Sequence, residues 1–124
     1  NRIRHDNPAL QTHRGVRFLP VENDMLLAYA RESAPENDAL EANVVIVAVN
    51  LDPHHAQWGW IHLDPASIGV GPDEEFQVHD LLTNQRFTWR GHHHYVKLDP
   101  HSVPAHILVV RRRVRSERDF DYFL

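Results

Sequence analysis

Between Val44 and Val49 the chain runs through six consecutive apolar residues, most of them β-branched. Stiff χ1 angles favour a strand over a helix in such a run. Asn50, Leu51, Asp52 and Pro53 then end it. Proline has no N–H for a ladder and pushes the residue before it out of the α region. Val45, Val47 and Val49 point to one face of such a strand; Val44, Ile46 and Ala48 point to the other. A strand with one wet face alternates apolar and polar residues, and this one does not. Val44–Val49 therefore reads as a central strand with protein on both sides.

The segments around it carry the two-residue period of strands. Gly15 opens a short strand over 16–20, and Glu22-Asn23-Asp24 is turn chemistry before a second strand over 25–31. The two should pair as a hairpin. Residues 32–42 are rich in Ser, Pro, Glu, Asn and Asp and read as a solvated loop. Gln57 to Leu63 alternates, with Gly59, Ile61 and Leu63 on one face and Trp58, Trp60 and His62 on the other. Ile61 and Leu63 mark the core side. Further strands are expected over 74–82, 86–90, 94–98 and 105–111, with a tight hairpin turn at Thr83-Asn84-Gln85. About eight short strands separated by turn signals predict an all-β fold, an antiparallel β-sandwich. Leu-Asp-Pro occurs at 51–53, 63–65 and 98–100, each time at a strand exit. There proline stops pairing and aspartate can accept from backbone donors of the turn. The unequal spacings do not make a repeat architecture.

Residues 1–11 differ. Ile3 and Leu10 stand at helical spacing without an N-cap, and Asn7-Pro8 reads as a helix end. The expected organisation is thus the last turns of a longer helix over 1–11 and a β-sandwich domain over 12–124.

A length of 124 residues fits one domain with a single core. The net charge of −4 argues against a nucleic-acid partner, whose footprint is basic. The cluster Arg111, Arg112, Arg113, Arg115 and Arg118 is followed by Glu117, Asp119 and Asp121, so local pairing accounts for it. Cysteine is absent, which excludes disulfides and thiolate metal sites and is compatible with the cytoplasm. No apolar run approaches the roughly 20 residues of a membrane helix. No membrane partner is expected, and no signal peptide is read.

Eleven histidines invite a metal reading. His54-His55 and His92-His93-His94 are adjacent residues in expected loops, and neighbours in extended chain point opposite ways. No His-Glu-x-x-His pattern exists, so neither a metal site nor a cofactor is expected. The serines, Ser33, Ser67, Ser102 and Ser116, lie in loop or terminal stretches, none in a Gly-x-Ser-x-Gly elbow. Glycoside chemistry needs two carboxylates about 5–9 Å apart in a cleft. Turn and loop roles explain nearly all the acidic residues here. The residues alone show no active site.

Several motifs nevertheless resemble a known family. Asn1-Arg2-Ile3-Arg4 with Asn7-Pro8-Ala9-Leu10 resembles the end of the last barrel helix in α-amylase-type enzymes of glycoside hydrolase family thirteen. Asn50-Leu51-Asp52-Pro53-His54-His55-Ala56-Gln57 with Gly59-Trp60 is similar to bacterial α-1,4-glucan:maltose-1-phosphate maltosyltransferases of that family. So are Val78-His79-Asp80-Leu81-Leu82-Thr83, Trp89-Arg90-Gly91, Tyr95-Val96-Lys97-Leu98-Asp99-Pro100 and Pro104-Ala105-His106-Ile107. The resemblance implies a C-terminal β-domain of a retaining transferase that extends α-1,4-glucans from maltose 1-phosphate. The family's aspartate nucleophile and glutamate acid/base would lie in its barrel, before Asn1, so no catalytic residue is carried over to this chain. Ser116 to Leu124 matches nothing in the family's pattern.

Three roles follow as expectations. The first is a non-catalytic domain that stabilises the barrel of the same parent chain by docking on it. The second is a carbohydrate-binding module that contacts α-glucan through tryptophans. The third, an independent enzyme, has the least behind it. Trp58, Trp60 and Trp89 are the candidate residues for sugar binding or domain docking. Trp58 and Trp60 project from the same strand face, opposite Ile61 and Leu63.

Overall fold

The computed structural model describes residues 16–32 and 44–112. The helix end expected at 1–11, the loop that joins the second and central strands and the Phe120–Leu124 tail lie outside the described residues, as does the arginine cluster from Arg113 onward. Eight strands follow in order: β1 (Arg17–Leu19), β2 (Leu26–Glu32), β3 (Val44–Asn50), β4 (Gln57–His62), β5 (Phe76–Asp80), β6 (Arg86–Trp89), β7 (His93–Leu98) and β8 (Ala105–Arg112). A six-stranded sheet has the order β1-β2-β3-β8-β5-β6, and β4 pairs with β7 in a second sheet. All pairings are antiparallel. The expected all-β sandwich is the observed fold.

β3 sits between β2 and β8, with Val47 opposite Tyr29 on one side and Ile107 on the other. Its two faces serve two apolar clusters. Val44, Ile46 and Ala48 join the main core with Leu26, Ala28, Ala30, Phe76, Val78 and Leu108 from the same sheet. Ile61, Val96 and Leu98 of the small sheet close that core from above. Val45 and Val47 face away from it, clustered with Val109 and with the partly buried Tyr29, Val49, Leu81 and Ile107. The double-sided apolarity of the run is thus used on both sides.

The three Leu-Asp-Pro exits share one device. Asp52 Oδ1 accepts from the His54 amide at 2.9 Å, Asp64 Oδ1 from the Ala66 amide at 3.1 Å, and Asp99 Oδ1 from the His101 amide at 2.9 Å. Each carboxylate satisfies the donor two residues on, which bends the chain where proline has ended the ladder. At Asp64 the bend opens a 3-10 turn, Pro65–Ile68, that closes on Gly69 at φ 78°. Only glycine holds that left-handed position without cost.

Two expectations shift. The strand expected over 74–82 spans only Phe76–Asp80, because Asp80 Oδ1 accepts from the Leu82 amide and turns the chain. β7 opens one residue earlier than the strand expected over 94–98, at His93 rather than in a loop, with His94 facing the core.

Candidate functional site

The outer face of the small sheet gathers the largest exposed aromatic surface among the described residues. β4 and β7 pair Trp58 with Lys97, Trp60 with Tyr95 and His62 with His93. All six lie on one face because the register keeps their parity. Trp58 is 57% exposed, Trp60 47% and Tyr95 50%. Trp60 and Tyr95 meet edge to face with ring centroids 5.6 Å apart, and His62 meets His93 likewise at 4.4 Å. His62 Nε2 also lies 2.5 Å from Glu22 Oε2.

This face is held from below and from one side. Gly59 and Ile61 point inward between the exposed residues, and Ile61 is fully buried. The free edge of β4 is taken by the segment before β2. His62 donates its amide to the Pro20 carbonyl at 2.9 Å, and Glu22 donates to the Trp60 carbonyl at 3.2 Å. Asn23 Nδ2 donates to the Trp58 carbonyl at 2.8 Å and to Gln57 Oε1 at 3.0 Å. The backbones of both tryptophans are therefore fixed while their indoles stay in solvent. The strand alternation had placed Trp58 and Trp60 on this outer face, and the structure puts them there.

Trp89 is elsewhere. It lies buried at the end of β6, stacked on the His94 imidazole at 4.1 Å and 8° between planes, with Phe76 edge-on at 6.2 Å. Burial pushes the His94 pKa down to about 4, against the hydrogen bond to the Gly91 carbonyl, and the neighbouring His93 and His92 add to the depression. His94 Nε2 is buried without a hydrogen-bond partner among the described residues.

A second polar group inside the sandwich escaped the sequence reading. Asp80, on β5, is fully buried. Its Oδ2 accepts from Thr83 Oγ1 and from His106 Nδ1, both at 2.7 Å, and its Oδ1 accepts from the amides of Leu82 and Ile107, both at 3.1 Å. Burial alone would raise the Asp80 pKa; the hydrogen bonds from Thr83, His106, Leu82 and Ile107 outweigh it and hold the carboxyl below its ordinary value. The pair is not a hydrolytic triad. Thr83 donates to the carboxylate rather than to the imidazole, so no nucleophile is activated. Alternation held the signal: Phe76, Val78 and Asp80 share the inward parity of β5, as His106 and Leu108 do on β8.

The paired histidines do not converge on an ion site. His54 and His55 meet edge to face at 6.3 Å, and His55 Nδ1 lies 3.2 Å from Asp52 Oδ2. Among the described residues, no three His, Asp or Glu side chains are grouped to hold a metal ion. No helix of the described residues is long and apolar enough to cross a membrane.

Comparison with known proteins draws these features into one family. The family model described as "GLGE, C-terminal" matches residues 18–110. An α-1,4-glucan:maltose-1-phosphate maltosyltransferase of Salinibacter ruber is 39% identical over 118 residues, covering 95% of this chain and 17% of the relative. The enzyme of the same name from Methylacidiphilum infernorum is 39% identical over 107 residues, covering 86% of this chain and 15% of the relative. That of Burkholderia pseudomallei is 43% identical over 107 residues, covering 84% and 9%. The chain spans less than a fifth of the length of these curated relatives. The matched span runs from β1 into β8 and takes in the aromatic face, the Asp80–His106 pair and the apolar central strand. The chain belongs to the family of GLGE C-terminal domains.

Proposed function

We propose that this chain is the non-catalytic C-terminal β-domain of a maltosyltransferase that extends α-1,4-glucan from maltose 1-phosphate, and that it stabilises the catalytic barrel by docking on it. The observation that carries this reading is the outer face of the six-stranded sheet. Across β1, β2, β3 and β8 that face is apolar, with Phe18 and Leu27 exposed, Tyr29, Val49 and Ile107 half-buried and Val47 buried. Across β5 and β6 it presents Gln77, His79, Arg86 and Thr88. Phe18, at 69% exposed, and Leu27, at 36%, mark the apolar half as a surface that continues beyond the buried cluster. An isolated domain rarely leaves such a patch in water. The relatives carry more than four-fifths of their length outside the matched segment, which supplies a partner within the same parent chain. The proposed location is the cytoplasm, with which a chain free of cysteine is compatible.

Phe18→Asp and Leu27→Asp test the docking. Both positions are exposed, so the melting temperature of this chain should hold. In the parent enzyme the same changes should lower the melting temperature and expose the junction to protease. A parent unchanged in both respects would remove this face as the docking surface.

A second reading has its own support. Trp58, Trp60 and Tyr95 lie on the opposite side of the sandwich from the apolar half-face, so docking there leaves them open. Exposed aromatic rings offer the flat apolar surface on which the C–H faces of sugar rings stack. The reading is an α-glucan platform on β4 and β7. Maltoheptaose titrated into the chain should then shift tryptophan fluorescence saturably, and Trp60→Ala should abolish the shift at unchanged melting temperature.

A further inference from the structure

A cavity of about 350 Å³ opens between β6 and β7, where the edges of the two sheets face each other. Phe87, Trp89 and Tyr95 line it together with aliphatic residues, and Gln85, Lys97 and His106 supply its polar groups. That volume lies at the lower end of the range for small-molecule pockets, about 300–1,000 Å³. The lining has the composition of such a pocket as well: aromatic and aliphatic walls with a few polar groups to fix orientation.

His106 is the fixed polar group. Asp80 Oδ2 takes its Nδ1 at 2.7 Å, and an ionised carboxylate can only accept. The proton therefore sits on Nδ1, and in the neutral ring Nε2, on the other side, is an acceptor for a ligand hydroxyl. Gln85 adds an amide that both donates and accepts, and Lys97 adds a donor. Among the described residues, no carboxylate lines the cavity. Aromatic walls suit the C–H face of a ring, and neutral acceptors and donors suit its hydroxyls. A cation would meet Lys97 without a counter-charge, and an anion would meet a single lysine.

The cavity is also continuous with the aromatic face. Tyr95 lines the cavity and meets Trp60 edge to face at 5.6 Å, and Lys97 lines it while standing opposite Trp58 in the ladder. A chain lying on Trp58 and Trp60 would pass over β7 and turn its end into the cavity.

We propose that the β6–β7 cavity is a binding site for the end of a neutral α-linked glucan chain, one or two glucosyl units long, with His106 as the oriented acceptor. This rests on the platform reading above and gives it a polarity: rings on the outer face, chain end in the cavity. The chain has three tryptophans, so its indole N–H groups give three resonances, assignable by single Trp→Phe changes. Maltose, short enough for the cavity alone, is titrated first and maltoheptaose second. The expected result is that maltose shifts the Trp89 resonance, and that Gln85→Phe, at the cavity wall, weakens this binding about tenfold at unchanged melting temperature. Lys97→Ala should weaken it too and serves if Gln85→Phe fails to fold. If both sugars shift Trp58 and Trp60 but leave Trp89 unmoved, the cavity site is overturned and the platform stands. If neither sugar moves any indole, both fall.

Discussion

His106 and Asp80 meet at 2.7 Å inside the sandwich, on adjacent strands that are far apart in sequence. The carboxylate is a junction rather than an isolated charge. It also holds the turn after β5 through Leu82 and Thr83 and the start of β8 through Ile107. Removing it strands several donors in the interior at once. Asp80→Ala should cost roughly 3 kcal/mol or more, since hydrogen bonds to a charged group contribute about 1.5–3 kcal/mol each. Urea denaturation of the two proteins measures it.

The same residue sets an acid limb. Its folded pKa lies below the unfolded value of 3.8, despite burial, because of the four donors. The unfolded chain therefore binds the proton first as pH falls. The stabilisation is complete above the unfolded value and is lost as pH drops through the lowered one. Asp80→Asn should flatten this limb in melting temperatures followed from neutral to acid pH. An unchanged acid slope would mean the carboxylate is not the titrating group.

His94 acts at milder pH. Its pKa falls from 6.5 unfolded to about 4 folded, chiefly by burial. The unfolded state again takes the proton first, so stability drops as pH falls from about 6.5 and levels near 4. The full difference approaches about 3 kcal/mol at 1.36 kcal/mol per unit. His94→Phe keeps a ring on Trp89 and cannot be protonated. Stability measured at neutral pH and near pH 5 should fall less for the variant than for the parent sequence; equal falls would place the titration elsewhere.

These buried polar residues mark the limit of what the sequence made legible. The central place of β3 follows from its unbroken apolar run, and strand positions, the hairpin of β1 with β2 and the exposed parity of Trp58 and Trp60 follow from period-two patterning and turn residues. So does the inward parity of Asp80, His94 and His106, but a charged or titratable residue in an apolar pattern reads as surface unless a partner is known. Its partner comes from another strand, and pairing order is set by the whole topology. Asp80 needs β8 beside β5, and the sequence does not say that β8 inserts between β3 and β5. Trp89 illustrates the same limit from the other side: its stack on His94 joins β6 of one sheet to β7 of the other.

Val47 tests the outer cluster of the large sheet. It stands mid-strand between Tyr29 and Ile107 and is 8% exposed. Val47→Ala should cost roughly 1–3 kcal/mol through lost burial and a residual cavity. Val47→Asp should cost much more, because it buries a carboxylate with no donor to receive it. Denaturant midpoints of the two variants decide. A wild-type midpoint for the aspartate variant would show that this face is not packed.

Gly59 tests how the aromatic face is held. It lies between Trp58 and Trp60 and points inward. A Cβ added there would stand 3.2 Å from Asn23 Cβ, 3.4 Å from Leu26 Cδ1 and 3.5 Å from Val21 Cγ1. Alanine would lower the entropy of the unfolded chain, a gain of about 0.4–1 kcal/mol. Against it stands overpacking, typically about 1–3 kcal/mol where neighbours cannot yield. Asn23 decides between them. Its side chain is tied to Gln57, to the Trp58 carbonyl and, through Oδ1, to the Met25 amide at 2.8 Å, so it has little room to retreat. Gly59→Ala should therefore destabilise the fold by about 1 kcal/mol or more and displace β4 outward. The indole resonances of Trp58 and Trp60 should move while that of Trp89 holds. In an Asn23→Ala background the ties are gone and the loop before β2 can give way, so the same change should cost less. A double-mutant cycle reads this coupling. Additive costs would mean that Asn23 does not hold the strand, and that the tryptophans owe their placement to the ladder with β7 alone.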